Sequence, residues 1–96
     1  MKIISNKNND CMEISLEGRL DTTTAPELDS FLNASYDDIK SLTVECKKLA
    51  YVSSAGLRVL LTAHKKLKGN LKLINVCELV MEVFELTGFA DILVIE

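Results

Sequence analysis

The sequence predicts a single α/β domain in which helices cover a mixed β-sheet, and two patterns support this prediction. Stretches that alternate apolar and polar residues, typical of strands with one buried face, recur along the chain between apolar residues at helical spacing. The 96 residues suffice for one core, and a composition of 48% hydrophobic and 26% charged residues is globular. We therefore expect residues 1–96 to form one sandwich of about four to five strands covered by three or more helices.

The N-terminal third of the chain predicts a β-hairpin followed by a helix. Met12–Glu17 alternates with period two, Lys2–Ser5 is its candidate partner strand, and Asn6–Asp10 is a polar turn between them. Gly18 is expected to end the second strand. Thr22–Glu27 then resembles a helix start, with a threonine cap and a proline in the first turn. The inward face of that helix is assigned to Leu28, Phe31 and Leu32.

The middle of the chain predicts a strand, a helix and a further strand. Ser41–Cys46 alternates as a strand, and an apolar strand end at residues 51–52 meets a helix at Ser53 and Ser54. Lysines in the last turns favour the helix dipole, a Gly-Asn pair ends the helix, and Leu71–Val76 follows as a strand. Apolar spacing assigns one face of the helix to Leu57, Leu60, Leu61, His64 and Leu67.

The C-terminal part predicts a third helix that stops at Gly88 and a short last strand, Ile92–Ile95. Helices between the later strands imply parallel pairing through right-handed crossovers, whereas the N-terminal hairpin makes the sheet mixed. The helix is marked by Leu79, Val80, Val83, Phe84 and Leu86.

Composition and charge argue against several classes of function. The net charge is −3, there is no basic stripe, and only 5% of the residues are aromatic, which argues against nucleic-acid binding. No apolar run approaches the ~20 residues that span a bilayer, and the N-terminus lacks a signal-peptide core. We expect a cytoplasmic protein that does not bind membranes and is a monomer.

The cysteines and the histidine predict neither a metal site nor catalysis. Cys11, Cys46 and Cys77 have no CxxC spacing and are interpreted as reduced core thiols. His64, a core or boundary residue, lies about ten residues beyond Ser54 on one helix, roughly 15 Å away, which excludes a Ser–His pair. No GxSxG, P-loop or HExxH motif is present. We expect no cofactor and no enzymatic activity.

The join at Ser53 and Ser54 is the most informative feature of the sequence. The first turn of a helix has unpaired backbone N–H groups and the positive end of the macrodipole. A hydroxyl there can cap the helix, which is worth roughly 1 kcal/mol, and a phosphate on it is electrostatically favoured. Ser54 is therefore a candidate cap, a candidate phosphorylation site, or both.

Three segments of the chain resemble the anti-sigma factor antagonists, a family built on the STAS domain. The first reads Glu-Gly-Arg-Leu-Asp at 17–21 with Thr-Ala-Pro at 24–26. The second, Tyr-Val-Ser-Ser-Ala-Gly-Leu at 51–57, is the most specific, and the third is Val-Phe-Glu-Leu-Thr-Gly-Phe at 83–89. The resemblance spans nearly the whole chain and implies a STAS-type sandwich.

The resemblance also implies a partner-switching function. In that family the unphosphorylated protein binds an anti-sigma factor, which is also a serine kinase that uses ATP, and a sigma factor is released. Phosphorylation by the kinase ends the complex, and a PP2C-type phosphatase restores it. Alignment on Gly56 and Leu57 places the phosphorylated serine at Ser54. Ser53 stands where the family usually has Asp and is a second candidate, and Ala55 replaces the next hydroxyl.

The resemblance implies partner-binding residues in two segments, and several of them could instead have a purely structural role. Asp21 could instead anchor the turn before the first helix, Thr22–Thr24 could be turn and cap residues, Gly56 could serve backbone packing, and Arg58 could be a solvated charge. The alternative function is a STAS interaction or adaptor module of another partner-switching, scaffold or lipid-transport complex without a sigma factor. The implied partner-binding residues are Asp21, Thr22, Thr23, Ser53, Ser54, Ala55, Gly56, Leu57 and Arg58.

Overall fold

The computed structural model describes Met1–Glu96 and contains one five-stranded sheet whose strands lie in chain order. The strands are β1 (Lys2–Asn8), β2 (Cys11–Leu20), β3 (Ser41–Val52), β4 (Leu71–Ile74) and β5 (Val94–Ile95). The helices are α1 (Ala25–Asn33), α2 (Ser54–Lys66) and α3 (Glu78–Thr87), with short 3-10 helices at Tyr36–Asp38 and Phe89–Asp91. β1 pairs antiparallel with β2, and the other pairs are parallel. The predicted mixed sandwich is confirmed.

Only one face of the sheet is buried. In β3, Leu42, Val44 and Cys46 are buried, whereas Thr43 and Glu45 between them are partly exposed. Because β2 to β5 are parallel neighbours in chain order, right-handed crossovers place all three helices over the same face. The molecule therefore has two layers, with 22 buried apolar residues between them. None of its helices has the length and apolar character needed to cross a membrane.

The N-terminal hairpin is longer than the pattern predicts. Its turn consists of Asn9 and Asp10 alone, and the polar residues 6–8 belong to β1. Asn9 has φ of 59°, a left-handed conformation that Asn tolerates better than most residues. The predicted turn over Asn6–Asp10 was wrong because cross-strand pairing outweighed the polarity of these exposed residues.

Gly18 does not end β2, contrary to the expectation. It lies inside the strand with φ of 106°, next to a register shift against β3. Glycine adopts this conformation without a Cβ clash, so the strand continues through a bulge to Leu20. The extra residues are important because they carry β2 to the point where the functional candidates follow.

Other strand ends also differ from the pattern. β3 extends to Val52 as one strand, while β4 ends at Ile74 instead of Val76 and β5 contains only Val94–Ile95. Asn75 has φ of 55°, which turns the chain away from the sheet directly after β4. Apolar character alone did not mark these ends because Val76 and Ile92 continue the apolar pattern outside the strands.

The helices confirm most of the predicted inner faces but not all. On the face predicted for α2, Leu57 and Leu60 are buried, as is Leu67 directly after the helix, whereas Leu61 and His64 are only partly buried. In α3, which ends at the left-handed Gly88 as expected, Val80 and Phe84 are buried. Leu79 and Leu86, which are among the apolar residues that mark this helix in the sequence, are 55% and 81% exposed and do not belong to its buried face. A helix on a two-layer sheet buries only one stripe, and α3 has more apolar residues than that stripe holds.

The three cysteines are free and occupy different environments. Cys46 is buried, Cys77 is partly buried and Cys11 is exposed. The expected core role is therefore confirmed for Cys46 and wrong for Cys11, which opens β2 at the rim of the sheet. Burial raises the pKa of the Cys46 thiol to about 12, so it stays protonated at neutral pH.

The inner and outer faces of α3 can be tested by stability. We expect Phe84→Ala to lower the free energy of unfolding by about 3–5 kcal/mol, because it leaves a cavity in the core. Leu86→Ala, two residues further on the same helix, should change it by less than about 0.5 kcal/mol. Urea unfolding followed by circular dichroism measures both, and equal losses would contradict the assignment of faces.

Candidate functional site

Parallel pairing of β2 with β3 brings the two candidate segments together. Leu20 and Val52 lie opposite each other at the carboxyl ends of these strands. The backbone N–H of Ser53 donates a 2.9 Å hydrogen bond to the carbonyl of Leu20. Asp21 and Ser53 therefore leave the sheet side by side. We call residues 21–24 and 53–58 together the serine site.

Ser53, not Ser54, caps α2. Its backbone is extended, and its Oγ accepts a long hydrogen bond of 3.4 Å from the N–H of Gly56. Ser54 is the first helical residue, its side chain is exposed, and its hydroxyl forms no hydrogen bond within the chain. The alternative in which Ser54 serves as the cap is therefore wrong, and its hydroxyl is free for other chemistry.

The first turn of α2 carries no negative charge. It contains no acidic residue, whereas the last turn holds His64, Lys65 and Lys66. The 13-residue helix thus presents the positive end of its dipole and unpaired backbone N–H groups at Ser54. This environment can stabilise an anionic group placed on the Ser54 hydroxyl.

Gly56 allows α2 to pack tightly against the end of β2. A Cβ at this position would lie 2.6 Å from Cγ and 2.9 Å from the carbonyl oxygen of Leu20. The interpretation of Gly56 as a close-packing residue is therefore confirmed. Leu57 is also buried, at 3% exposure. Both residues hold the helix start in place from below, and their predicted contact with a partner stays a prediction.

Asp21 organises the turn that precedes α1. Its Oδ1 accepts hydrogen bonds from the hydroxyl of Thr23 at 2.8 Å and from the backbone N–H groups of Thr23 and Thr24 at 3.0 and 3.2 Å. Chiefly the Thr23 hydroxyl, and also these N–H groups, hold the pKa of Asp21 below its ordinary value of 3.8. The interpretation of Asp21 as a turn anchor is confirmed.

Thr24 precedes α1 but does not cap it with its side chain. Its hydroxyl donates to the carbonyl of Arg19 at 2.7 Å and accepts from the N–H of Asp21 at 2.8 Å. The prediction that a threonine side chain caps α1 was therefore wrong, because the hydroxyl of Thr24 is bonded within the preceding turn.

Arg19, which was not among the candidates, lies 3.8 Å from Asp21 Oδ2 and 4.2 Å from the centre of the Tyr51 ring. Only the pairing of Arg19 with Tyr51 across β2 and β3 makes this contact visible.

A cleft of about 320 Å³ adjoins the serine site between α1 and α2. Arg58 is exposed at this cleft and forms no ion pair. Thr22 and Thr23 are also exposed, whereas Asp21, Ser53 and Ala55 are partly buried. The cleft adds α1 and α2 residues that the sequence did not indicate. Its lining consists of Thr22, Ala25, Pro26, Asp29, Ala55, Arg58, Val59 and Thr62.

The arrangement around Ser54 presents an exposed surface. His64 lies two to three turns along α2 from Ser54, and its Nδ1 is buried without a partner. No group of three or more His, Cys, Asp or Glu side chains is arranged to hold a metal ion. The site places the exposed hydroxyl of Ser54 at a positive helix end beside a cleft.

Comparison with known proteins finds similarity along almost the whole chain. The family model described as the STAS domain matches residues 2–96. BtrV of Bordetella bronchiseptica, provisionally named an anti-sigma factor antagonist, is 34% identical over 96 residues, covering 96% of this chain and 83% of that protein. The anti-sigma-B factor antagonist of Bacillus subtilis is 30% identical over 90 residues, covering 91% and 83%. The resemblance read from three segments is confirmed.

Solved structures share the fold. The anti-sigma factor antagonist SpoIIAA of Bacillus matches in its unphosphorylated form with a TM-score of 0.79 at 14% identity, covering 99% of this chain and 87% of that chain. Its phosphorylated form matches with a TM-score of 0.77 at 16% identity, covering 99% and 91%. At these identities the likeness concerns the fold alone.

The close contact between Gly56 and Leu20 predicts that a larger residue at position 56 lowers the free energy of unfolding. Ala is usually better than Gly inside a helix by roughly 0.5–1 kcal/mol. Here we expect Gly56→Ala to destabilise by about 1–3 kcal/mol, since the new methyl group forces Leu20 and its backbone to move. Thermal and urea unfolding measure the change, and a stabilised variant would show that α2 does not pack closely on β2.

The turn at Asp21 gives a pH-dependent prediction. Because its folded pKa is lowered, the stabilisation is present above the unfolded pKa and is lost as pH falls through the folded pKa. Stability should therefore fall more steeply below about pH 4 in the wild type than in Asp21→Asn. In Thr23→Val, which lacks the donating hydroxyl, the pKa of Asp21 measured by NMR should rise toward 3.8. An unchanged pKa in that variant would refute the assigned cause.

Proposed function

This chain belongs to the STAS domain family, and from this premise we propose that it is an anti-sigma factor antagonist switched by phosphorylation of Ser54. Its unphosphorylated form binds an anti-sigma factor that is also a serine kinase, and a sigma factor is released. Phosphorylation by that kinase ends the complex, and a PP2C-type serine phosphatase restores it. The names of the B. bronchiseptica and B. subtilis relatives support the antagonist function.

The single observation that supports the phosphorylation switch is the state of Ser54. Its hydroxyl is exposed and unbonded in the first turn of α2, while the neighbouring Ser53 is partly buried and caps the helix. A kinase can reach the Ser54 hydroxyl without breaking a hydrogen bond of the fold. Ser53 is the second candidate acceptor, and its modification would disturb the cap.

The chain itself should tolerate the phosphoryl group well. A phosphoserine carries about −1.5 to −2 charges at neutral pH, and the helix N-terminus favours such a charge. Arg58 lies one turn further along α2, at i+4, and has no other ion-pair partner. Its guanidinium can therefore pair with the phosphate at Ser54. We expect the fold to stay the same in both forms.

The partner, in contrast, would have to bury the phosphate. A surface packed over Ser54 and the adjoining cleft loses several kcal/mol unless it brings its own cation. Each ~1.4 kcal/mol is a factor of ten in affinity, so one modification can end a micromolar complex. The switch therefore acts by blocking the interface, with Asp21, Thr22, Thr23 and Arg58 as the exposed or partly exposed contact residues around Ser54.

The acceptor residue can be identified by mass spectrometry. The chain is incubated with ATP and a candidate anti-sigma factor kinase, alongside Ser54→Ala and its neighbour control Ser53→Ala. We expect one phosphoryl group, about 80 Da, on the wild type and on Ser53→Ala but not on Ser54→Ala. Loss in Ser53→Ala alone would move the site by one residue. No product with a kinase active on another substrate would favour an adaptor module without a sigma factor.

The same switch has a structural readout. A chain with phosphoserine incorporated at position 54 should bind the anti-sigma factor at least about tenfold more weakly than the unmodified chain. Its amide NMR spectrum should change only near residues 50–60 if the interface is blocked. Widespread shifts would instead mean that phosphorylation rearranges the fold.

A further inference from the structure

Helix α3 carries an apolar stripe that the rest of the chain covers only in part. Leu79 and Leu86 are 55% and 81% exposed, the highest values among the large apolar side chains, and Val83 between them is partly exposed. Their spacing of i, i+4 and i+7 places all three on one side of the helix. We call Leu79, Val83 and Leu86 the α3 stripe. Contiguous exposed apolar surface of this kind marks interaction sites.

Acidic residues lie along one border of the α3 stripe. Glu78, Glu82 and Glu85 are exposed, and none of them forms an ion pair. At 3.6 residues per turn these three carboxylates lie on the same side of Leu79 and Leu86. The sequence of α3 contains no basic residue to neutralise them. The helix therefore presents an apolar line beside an unpaired negative line.

We propose that the α3 stripe docks a basic amphipathic helix of another protein. Apolar residues of that helix cover Leu79, Val83 and Leu86, while its lysines or arginines meet the carboxylates of Glu78, Glu82 and Glu85. A second copy of this chain fits poorly, because self-pairing through α3 brings the unpaired carboxylates of both copies to one interface with no base between them. An anionic lipid surface is disfavoured for the same reason.

This docking surface shares no residue with the serine site. Ser54 opens α2, which follows β3, whereas the stripe belongs to α3, which follows β4 and is held to β3 by Cys77, whose Sγ donates to the carbonyl of Leu49 at 3.5 Å. The existence of the α3 stripe therefore does not depend on the phosphorylation switch.

The test is an NMR titration of the ¹⁵N-labelled chain with a synthetic helical peptide. The peptide has about five turns, with leucines at i, i+4 and i+7 and lysines along one side of them. We expect amide shifts confined to the region of Glu78–Gly88. Affinity should fall at least about tenfold in the double variant Leu79→Gln/Leu86→Gln. The matched control is Ile4→Gln/Ile92→Gln, which alters two side chains of 45% and 47% exposure and should bind as the wild type does.

Further measurements test the role of charge and the independence of the α3 stripe from Ser54. A peptide with glutamates in place of the lysines should bind at least about tenfold more weakly. The variant Glu82→Gln/Glu85→Gln should bind the lysine peptide more weakly than the wild type does, but should not lose affinity for the glutamate peptide. A chain with phosphoserine at position 54 should bind the lysine peptide unchanged.

Several outcomes would overturn the proposal. These are shifts away from α3 or none at all, equal affinity for the two peptides, and insensitivity to the leucine variant. A dimer in sedimentation equilibrium that Leu79→Gln/Leu86→Gln dissolves would assign the stripe to a second copy instead.

Discussion

The rest of the site depends on one constraint, the parallel pairing of β2 with β3 at their carboxyl ends. The close contact between Gly56 and Leu20 fixes α2 at the same place. Leu20 accepts a hydrogen bond from the N–H of Ser53 and leaves no room for a Cβ at Gly56. α2 must therefore start directly beside the turn at Asp21. Without this approach, the two segments that carry the exposed hydroxyl and the threonine turn would belong to separate surfaces.

The two adjacent serines divide two tasks that a single residue would perform less well. Ser53 stabilises the helix start by accepting from Gly56, and the hydroxyl of Ser54 is left without a partner. A modification on Ser54 then adds charge at the positive end of a helix without removing a cap. In the proposed switch, the helix dipole lowers the cost of the phosphate within the chain, whereas the exposure of Ser54 leaves a covering partner to bury it.

How much could be predicted from sequence depends on the range of the interactions that decide each feature. Local signals located α1 and α2 and the end of α3 at Gly88, because caps, proline and left-handed glycine act within a few residues. The length of the hairpin, the bulge at Gly18 and the exposure of Leu79 were missed. Each of these features is set by a neighbouring strand or by the limited area of the sheet, and the local residue pattern carries no information about either.

The sequence by itself determined the mixed α/β class, the family and the position of Ser54 at a helix start, because periodicity and a specific local motif encode them. Only the tertiary structure decided which serine caps the helix, that Gly56 and Leu57 lie beneath the site, and that Arg19 joins Asp21 to Tyr51. Only the tertiary structure also left Leu79 and Leu86 uncovered. These features depend on which residues the strand register and the packing of helices bring into contact, and such contacts join residues distant in the chain.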